Sequence, residues 1–314
     1  MSLRAFYLKA VGRLPLHWRK RLESLPLHVF RSHHERECQR AWRSGPPYGP
    51  SHKRILIDIT FDCNLGCVDC NRSAGPGQAP SADHMTPEQI RRFVAESLAQ
   101  HRQWEGIQIE GGEPTLHPQF EEIIRILNEY RRRHLPSAWI QINTNGYSSS
   151  SRALLSRLPP GIDVYSSEKK GPRQRLHCAF NVAPVDLPEF SGTNYSQGCF
   201  QPAQYGLGLN RYGYYPHPAC GGIDRVFGFD VGRKTLPSVR DDLRDQFARL
   251  CCYCGCFRNF SSRVRSDYDL RPSSAEMTLC GQISASWRDA YRRYREIPPR
   301  LSLYGHSIAR GLIP

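Results

Sequence analysis

No run of about 18 consecutive apolar residues occurs in the chain, so no helix long enough to cross a bilayer is expected. The N-terminal residues are basic but lack a continuous apolar segment, so no signal peptide is expected either. No internal repeat is visible. Acidic residues are the minority charge: 29 Asp and Glu stand against 43 Lys and Arg, a formal net charge of +14. Such a balance favours anionic partners, such as phosphorylated substrates, nucleic acid or an anionic membrane surface, unless the arginines only solvate helices. The hydrophobic fraction of 39% supports a globular core, and 314 residues suffice for one large domain or one plus a small appendage. Cysteine is not scarce, at 12 residues. Clustered spacing and the absent leader point to metal ligation in a reducing cytoplasm rather than to disulfides.

The chain is organised around Cys63-Asn64-Leu65-Gly66-Cys67-Val68-Asp69-Cys70, just past an expected strand. A tight loop can converge its three thiolates on one metal centre. A closed structural site wants four protein ligands, so a cluster held by this loop keeps one iron free. A zinc knuckle also uses short cysteine loops. About 40 residues downstream lies Gly111-Gly112-Glu113-Pro114, between an expected strand, Gly106 to Glu110, and a helix. Two glycines let backbone approach a ligand closely, and a carboxylate pairs with an ammonium.

In this order the two motifs resemble the radical S-adenosylmethionine (SAM) superfamily, whose signature is CxxxCxxC and which has a GGEP stretch that binds SAM. The resemblance implies a [4Fe–4S] cluster on Cys63, Cys67 and Cys70. Its open iron chelates the amino and carboxylate groups of SAM, which one electron cleaves to methionine and a 5′-deoxyadenosyl radical. Gly111, Gly112, Glu113 and Pro114 would hold SAM, with Glu113 on its ammonium. Thr144 and Asn145 would touch the ribose, and Asn181 the adenine. The chain departs from the family at Asp69, where an aromatic residue is frequent.

Residues 1–50 read as a basic helical leader, with ten Lys and Arg against three Asp and Glu before Ser44. Leu3, Phe6, Leu8, Val11, Leu14, Trp18 and Leu22 suggest short amphipathic helices, interrupted by Pro15 and Pro26, that pack on the main domain or lie on a membrane surface. Gly45 to Pro50 reads as a linker. A core domain is expected over 51–190. Ile55, Ile57 and Ile59 alternate with Leu56, Asp58 and Thr60 in a first strand. Ser73 to Ala82 reads as a loop. Thr86-Pro87-Glu88-Gln89 is a helix start with a capping box. Ile107 and Ile109 mark a second strand. Phe120, Ile123, Ile124, Leu127 and Tyr130 mark a helix, and Trp139 to Asn143 a third strand. Ala153 to Leu158 suggest a short helix, with Ile162 to Tyr165 and Leu176 to Val182 as further strands. Strands alternating with helices predict an α/β fold with a parallel sheet and functional loops at the strand C-termini. The resemblance sharpens this to a partial (β/α)6 TIM-like barrel with a small C-terminal Cys-rich hairpin/helix extension.

Residues 191–260 are dense in glycine, tyrosine and proline and suit a small β-hairpin unit, with helical periodicity returning at Val239 to Leu250. Cysteines stand at 199, 220, 251, 252, 254 and 256. The pattern Cys199, Cys220, Cys251-x-x-Cys254 resembles the twitch form of the SPASM extension, which implies an auxiliary [4Fe–4S] cluster closed by four thiolates. Cys252 and Cys256 are alternatives to Cys251 and Cys254, and a zinc ribbon is an alternative to the cluster. Cys38, Cys178 and Cys280 stand alone and read as small apolar fillers. A helical tail is expected over 261–314, where Trp287, Tyr291 and Tyr294 share one helical face. Arg263, Arg265 and Arg271 are among its basic residues.

The resemblance implies a cytoplasmic radical SAM enzyme that abstracts a hydrogen atom from a small polar metabolite or natural-product intermediate. The auxiliary cluster favours net oxidation, and an external one-electron donor such as flavodoxin or ferredoxin is implied. No peptide-recognition domain is visible at the N-terminus, which disfavours the peptide-maturase alternative. Nucleic acid is not expected as a partner, because no added RNA-binding domain is found. The non-enzymatic alternative is a zinc-binding interaction protein.

Overall fold

The computed structural model describes residues 43, 48–75, 83–169, 178–260 and 278–305. The amphipathic leader helices, Cys38, most of the Ser73 to Ala82 loop and Arg263, Arg265 and Arg271 lie outside the described residues. Among the described residues no helix is long and apolar enough to cross a membrane.

β-branched residues at every second position drive β1 (Arg54–Thr60), whose Ile55, Ile57 and Ile59 are fully buried. The same alternation builds β2 (Gly106–Gly111) and β3 (Trp139–Thr144). Between β1 and β2, α1 (Pro87–Ala99) starts at a complete capping box: Thr86 Oγ1 accepts from Gln89 N, and Gln89 Oε1 from Thr86 N. Helix α2 (Phe120–His134) buries Phe120, Ile123, Ile124, Leu127 and Tyr130, as their spacing predicts. A short α3 (Ser149–Leu155) leads to β4 (Ile162–Ser166). Leu158 packs against the core from beyond the end of α3.

The sheet has six strands in the order β4-β3-β2-β1-β5-β6. β5 (Leu207–Asn210) pairs parallel to β1, and β6 (Gly213–Tyr215) runs antiparallel to β5. The fold is thus the expected α/β class, a mostly parallel sheet with helices packed on it. The expected hairpin forms, but it extends the main sheet beyond β1 instead of standing apart. Helix α5 (Pro218–Phe227) packs on β5, β6 and β1. Only glycine fits at 208, where a Cβ would stand 2.5 Å from the Pro218 nitrogen.

A strand over 176–182 does not form among the described residues. Residues 178–182 make a turn, with Val182 N donating to Ala179 O. Their carbonyls are taken by distant elements instead of a sheet neighbour. Phe180 O accepts from Gly255 N, Asn181 O from Ser284 N, and Ala179 O and Val182 O from the Arg258 guanidinium.

Helices α4 (Phe200–Tyr205), α6 (Arg244–Leu250) and α7 (Gly255–Phe260) complete the C-terminal half. The last helix, α8 (Ala285–Glu296), buries Trp287, Tyr291 and Tyr294 as one face and packs on α5.

Candidate active site

Three loops meet at the C-terminal ends of β1, β2 and β3. The first carries Cys63, Cys67 and Cys70. The second is Gly111 to Pro114, and its backbone is tied to the first: Gly112 N donates to Thr60 O at 2.8 Å, and Glu113 N to Asp62 O at 2.8 Å. Gly112 has no room for a side chain, since a Cβ would stand 2.2 Å from Asp62 O. The third loop holds Thr144 and Asn145. Asn145 reaches the cysteine loop through Nδ2, at 2.8 Å from Asn64 Oδ1 and 3.9 Å from Cys63 Sγ.

Glu113 joins these loops from a fully buried position. Its Oε1 accepts from Thr115 Oγ1 at 2.7 Å, Thr115 N at 3.3 Å and Thr144 Oγ1 at 2.8 Å, while Oε2 accepts from Asn145 N at 2.7 Å. An ionised carboxylate has about four acceptor directions, two on each oxygen. Oε2 therefore retains capacity for one further donor, such as an ammonium. Glu113→Ala removes both the stitching and that acceptor. SAM affinity is expected to fall by about 10- to 150-fold, the equivalent of about 1.5–3 kcal/mol for a charged hydrogen bond. Titration of SAM into reconstituted variant protein checks this. Unchanged affinity would confine Glu113 to a structural role.

Burial raises the Cys63 thiol to about 11, with its own neighbours Cys70 and Cys67 adding to the shift. Burial likewise raises Cys67, opposed by the Lys169 ammonium, whose Nζ lies 3.6 Å from Cys67 Sγ. Arg72 follows the cysteine loop and ion-pairs with Asp58 and Glu110. Asn181 is not at the three-loop junction. Its Oδ1 accepts from Tyr291 Oη at 3.0 Å, and that hydroxyl is 3.0 Å from Ser73 Oγ, whose backbone nitrogen donates to Cys70 O. It thus approaches the cysteine loop from the other side. Asp69, at the position that departs from the family, is buried with φ 56° and accepts from Gly281 N at 2.7 Å. Sequence reading did not mark Lys169, Arg72, Asp58 or Glu110. The alternation of isoleucine with polar residues in β1 and β2 was the signal for the last two.

In the C-terminal half, Cys199, Cys220, Cys251 and Cys254 are all buried and near one another. Burial pushes Cys199 up to about 12, with Cys220 adding to it. Cys251 is raised by its hydrogen bond with Cys220, then by burial, and Cys254 by burial and by Cys220 and Cys199. Neutral thiols are what burial without a cation requires, and bound iron inverts that preference. Cys252 turns away, with Sγ 3.5 Å from Arg249 O. Contrary to the expectation of metal ligation rather than disulfides, Cys256 forms a disulfide with Cys178, their Cα atoms 5.4 Å apart. Cys178 is therefore not an isolated apolar filler, and Cys256 is withdrawn from the alternative ligands. Gly255 packs on Ala179 and Phe180, which brings residues 78 apart in sequence together. Cys280 is half-buried rather than a core filler.

Residues 57–170 match the family model described as Radical SAM superfamily. That stretch, which holds the cysteine loop, the GGEP loop and the β3 loop, is similar to a radical SAM domain. Among curated proteins, it is 36% identical over 83 residues to "Probable GTP 3',8-cyclase" of Pyrococcus horikoshii, covering 26% of this chain and 25% of that protein. It is 32% identical over 119 residues to bovine "Molybdenum cofactor biosynthesis protein 1", covering 37% of this chain and 16% of that one. The matches thus span a quarter or less of these relatives' lengths. Among solved structures, BtrN in complex with AdoMet and 2-DOIA aligns at a TM-score of 0.41 and 14% identity, over 68% of this chain and 92% of that one.

The superfamily implies a [4Fe–4S] cluster and SAM. The donor set fits: three soft sulfur ligands share one loop, with Cys70 and Cys67 close enough to Cys63 to add to the rise of its thiol. Among the described residues no three His, Cys, Asp or Glu side chains converge tightly enough for a single metal ion. A cluster does not need that convergence, because its thiolates sit on separate irons.

Proposed function

We propose that the protein is a radical SAM enzyme that abstracts a hydrogen atom from a small polar metabolite or natural-product intermediate and completes a net oxidation. Cys63, Cys67 and Cys70 would hold the catalytic cluster, and Gly111 to Pro114 with Thr144 and Asn145 would hold SAM. Asn181 would stand near the adenine. Cys199, Cys220, Cys251 and Cys254 would hold an auxiliary cluster. Bound there, these groups supply a 5′-deoxyadenosyl radical on one side and an electron sink on the other. An external one-electron donor such as flavodoxin or ferredoxin would start each turnover in the cytoplasm. The proposed division runs 51–190 for the core, 191–260 for the auxiliary unit and 261–314 for the tail.

The observation that supports this reading most is the buried Glu113 carboxylate, which binds the β3 loop to the GGEP stretch beside the cysteine loop. Anaerobic purification followed by iron and sulfide counting tests it. A coloured protein with stoichiometric sulfide is expected, because iron–sulfur clusters absorb visible light. A colourless protein carrying zinc would replace this reading with a zinc-binding interaction protein.

A further inference from the structure

Both ends of the Cys63 to Cys70 loop run into one buried guanidinium. Arg225 on α5 is 1% exposed. Its guanidinium carbon lies 4.2 Å from the ring centre of Phe61, two residues before Cys63. Its Nη2 donates at 2.6 Å to the carbonyl of Ser73, three residues after Cys70. Its Nη1 donates to Tyr294 Oη of α8 at 2.8 Å and stands 3.5 Å from Asp83 Oδ2, so both arms of the fork are held. Phe61 in turn groups with Ala74 and Tyr212, and Cys63 and Cys70 pack against that group.

The exit of the loop is constrained a second way. Ser73 is fully buried with φ 49°, in the left-handed region. A non-glycine residue stays there only where its surroundings over-determine it. Three contacts do so: Ser73 N donates to Cys70 O at 3.0 Å, Oγ is 3.0 Å from Tyr291 Oη, and the carbonyl accepts from Arg225. Gly222, one turn before Arg225 on α5, lies directly on the Arg72 backbone, where a Cβ would stand 3.1 Å from Arg72 Cα. A charge buried this deeply costs more than an apolar side chain of similar size unless its hydrogen bonds are used. Here they are used on a loop 152 residues away in sequence.

We propose that Arg225 is a positioning residue for the cysteine loop. One guanidinium fixes the loop's two ends relative to each other: a cation–π contact holds the entry at Phe61, and a charged hydrogen bond holds the exit at Ser73. The spacing of those ends sets how the three thiolates present a cluster to SAM. The clamp comes from α5, which also carries Cys220, so both cysteine groups hang on one helix. This rests on the radical SAM reading, because the loop bears on SAM only if it holds the cluster.

Arg225→Gln and Arg225→Lys in the full-length, anaerobically reconstituted protein test the role. SAM is titrated calorimetrically, and electron paramagnetic resonance spectra of the dithionite-reduced protein are recorded with and without SAM. Arg225→Gln is expected to keep its iron, to bind SAM roughly tenfold or more weakly, the scale of one charge-assisted hydrogen bond, and to lose the SAM-dependent change in the spectrum. Arg225→Lys keeps the charge over Phe61 and one donor for Ser73 O, and is expected to fall between Arg225→Gln and the wild type in both readouts. A side chain that only filled the core would not rank the two variants this way. Wild-type SAM affinity in Arg225→Gln, or Arg225→Lys no better than Arg225→Gln, overturns the proposal. If Arg225→Gln takes up no iron, Arg225→Lys decides alone, and wild-type SAM affinity in it overturns the proposal. A wild-type spectrum that does not respond to SAM would overturn the radical SAM reading itself, and this inference with it.

Discussion

Cys63→Ala, Cys67→Ala and Cys70→Ala are each expected to reduce 5′-deoxyadenosine formation from SAM to the background of the assay. The reason is ligand arithmetic in a loop with no reserve. The three cysteines lie within eight residues, and Cys70 and Cys67 both act on the Cys63 thiol. An iron–sulfur cluster with an open iron already uses the fewest protein ligands that leave a SAM-binding position. Removing one thiolate leaves a second open iron, which loses both the cluster's stability and its defined substrate position. One more sulfur comes near through the backbone: Cys280 precedes Gly281, whose nitrogen bonds Asp69 Oδ2. The variants are therefore best made also in a Cys280→Ser background. Product is measured anaerobically with dithionite as reductant. Wild-type-like 5′-deoxyadenosine from any single variant in that background would remove the loop from catalysis.

Cys220→Ala is expected to halve the iron of the purified protein and to unfold much of its C-terminal half. Two clusters predict about eight irons per chain, at about four per cluster. Cys220 lies on α5 at the centre of the second cysteine group, hydrogen-bonded with Cys251 and close to Cys199 and Cys254. Those four thiols are buried together on short elements: α5 carries Cys220, Cys199 precedes α4, and Cys251 and Cys254 lie in the turn after α6. A metal bound there would tie these elements together, so binding and folding would be coupled. The Cys63/Cys67/Cys70 triple Ala variant should retain about four irons. Cys252→Ser should leave the count near eight, because its sulfur faces Arg249 O rather than the group. Iron and sulfide analysis, with proteolysis of the C-terminal half, reads all three. A triple variant without iron would refute the auxiliary cluster and withdraw the main support for net oxidation.

The sequence by itself determined most features that depend on residues near one another along the chain, the strand expected over 176–182 being the exception. Isoleucine at alternate positions specified β1, β2 and β3, and Thr86 with Gln89 specified the start of α1. The CxxxCxxC loop and Gly111 to Pro114 stood at strand ends because a polypeptide must turn there. Spacing also grouped Trp287, Tyr291 and Tyr294 on one helix face. Tertiary structure alone decided what depends on register between distant segments. It aligned Asp58, Glu110 and Asn143 in one row, since parallel register is set by crossover helices and carries no local code. It placed Glu113 under Asn145, and Asn181 against Tyr291. It drew the hairpin onto β1, whose free edge offered a ladder of unpaired backbone groups. It also separated six similar cysteines into a buried group of four, an outlying Cys252 and a Cys256 paired with Cys178. Cysteines one or two residues apart are nearly alike as local signals. Only the direction each side chain takes from a folded turn distinguishes them.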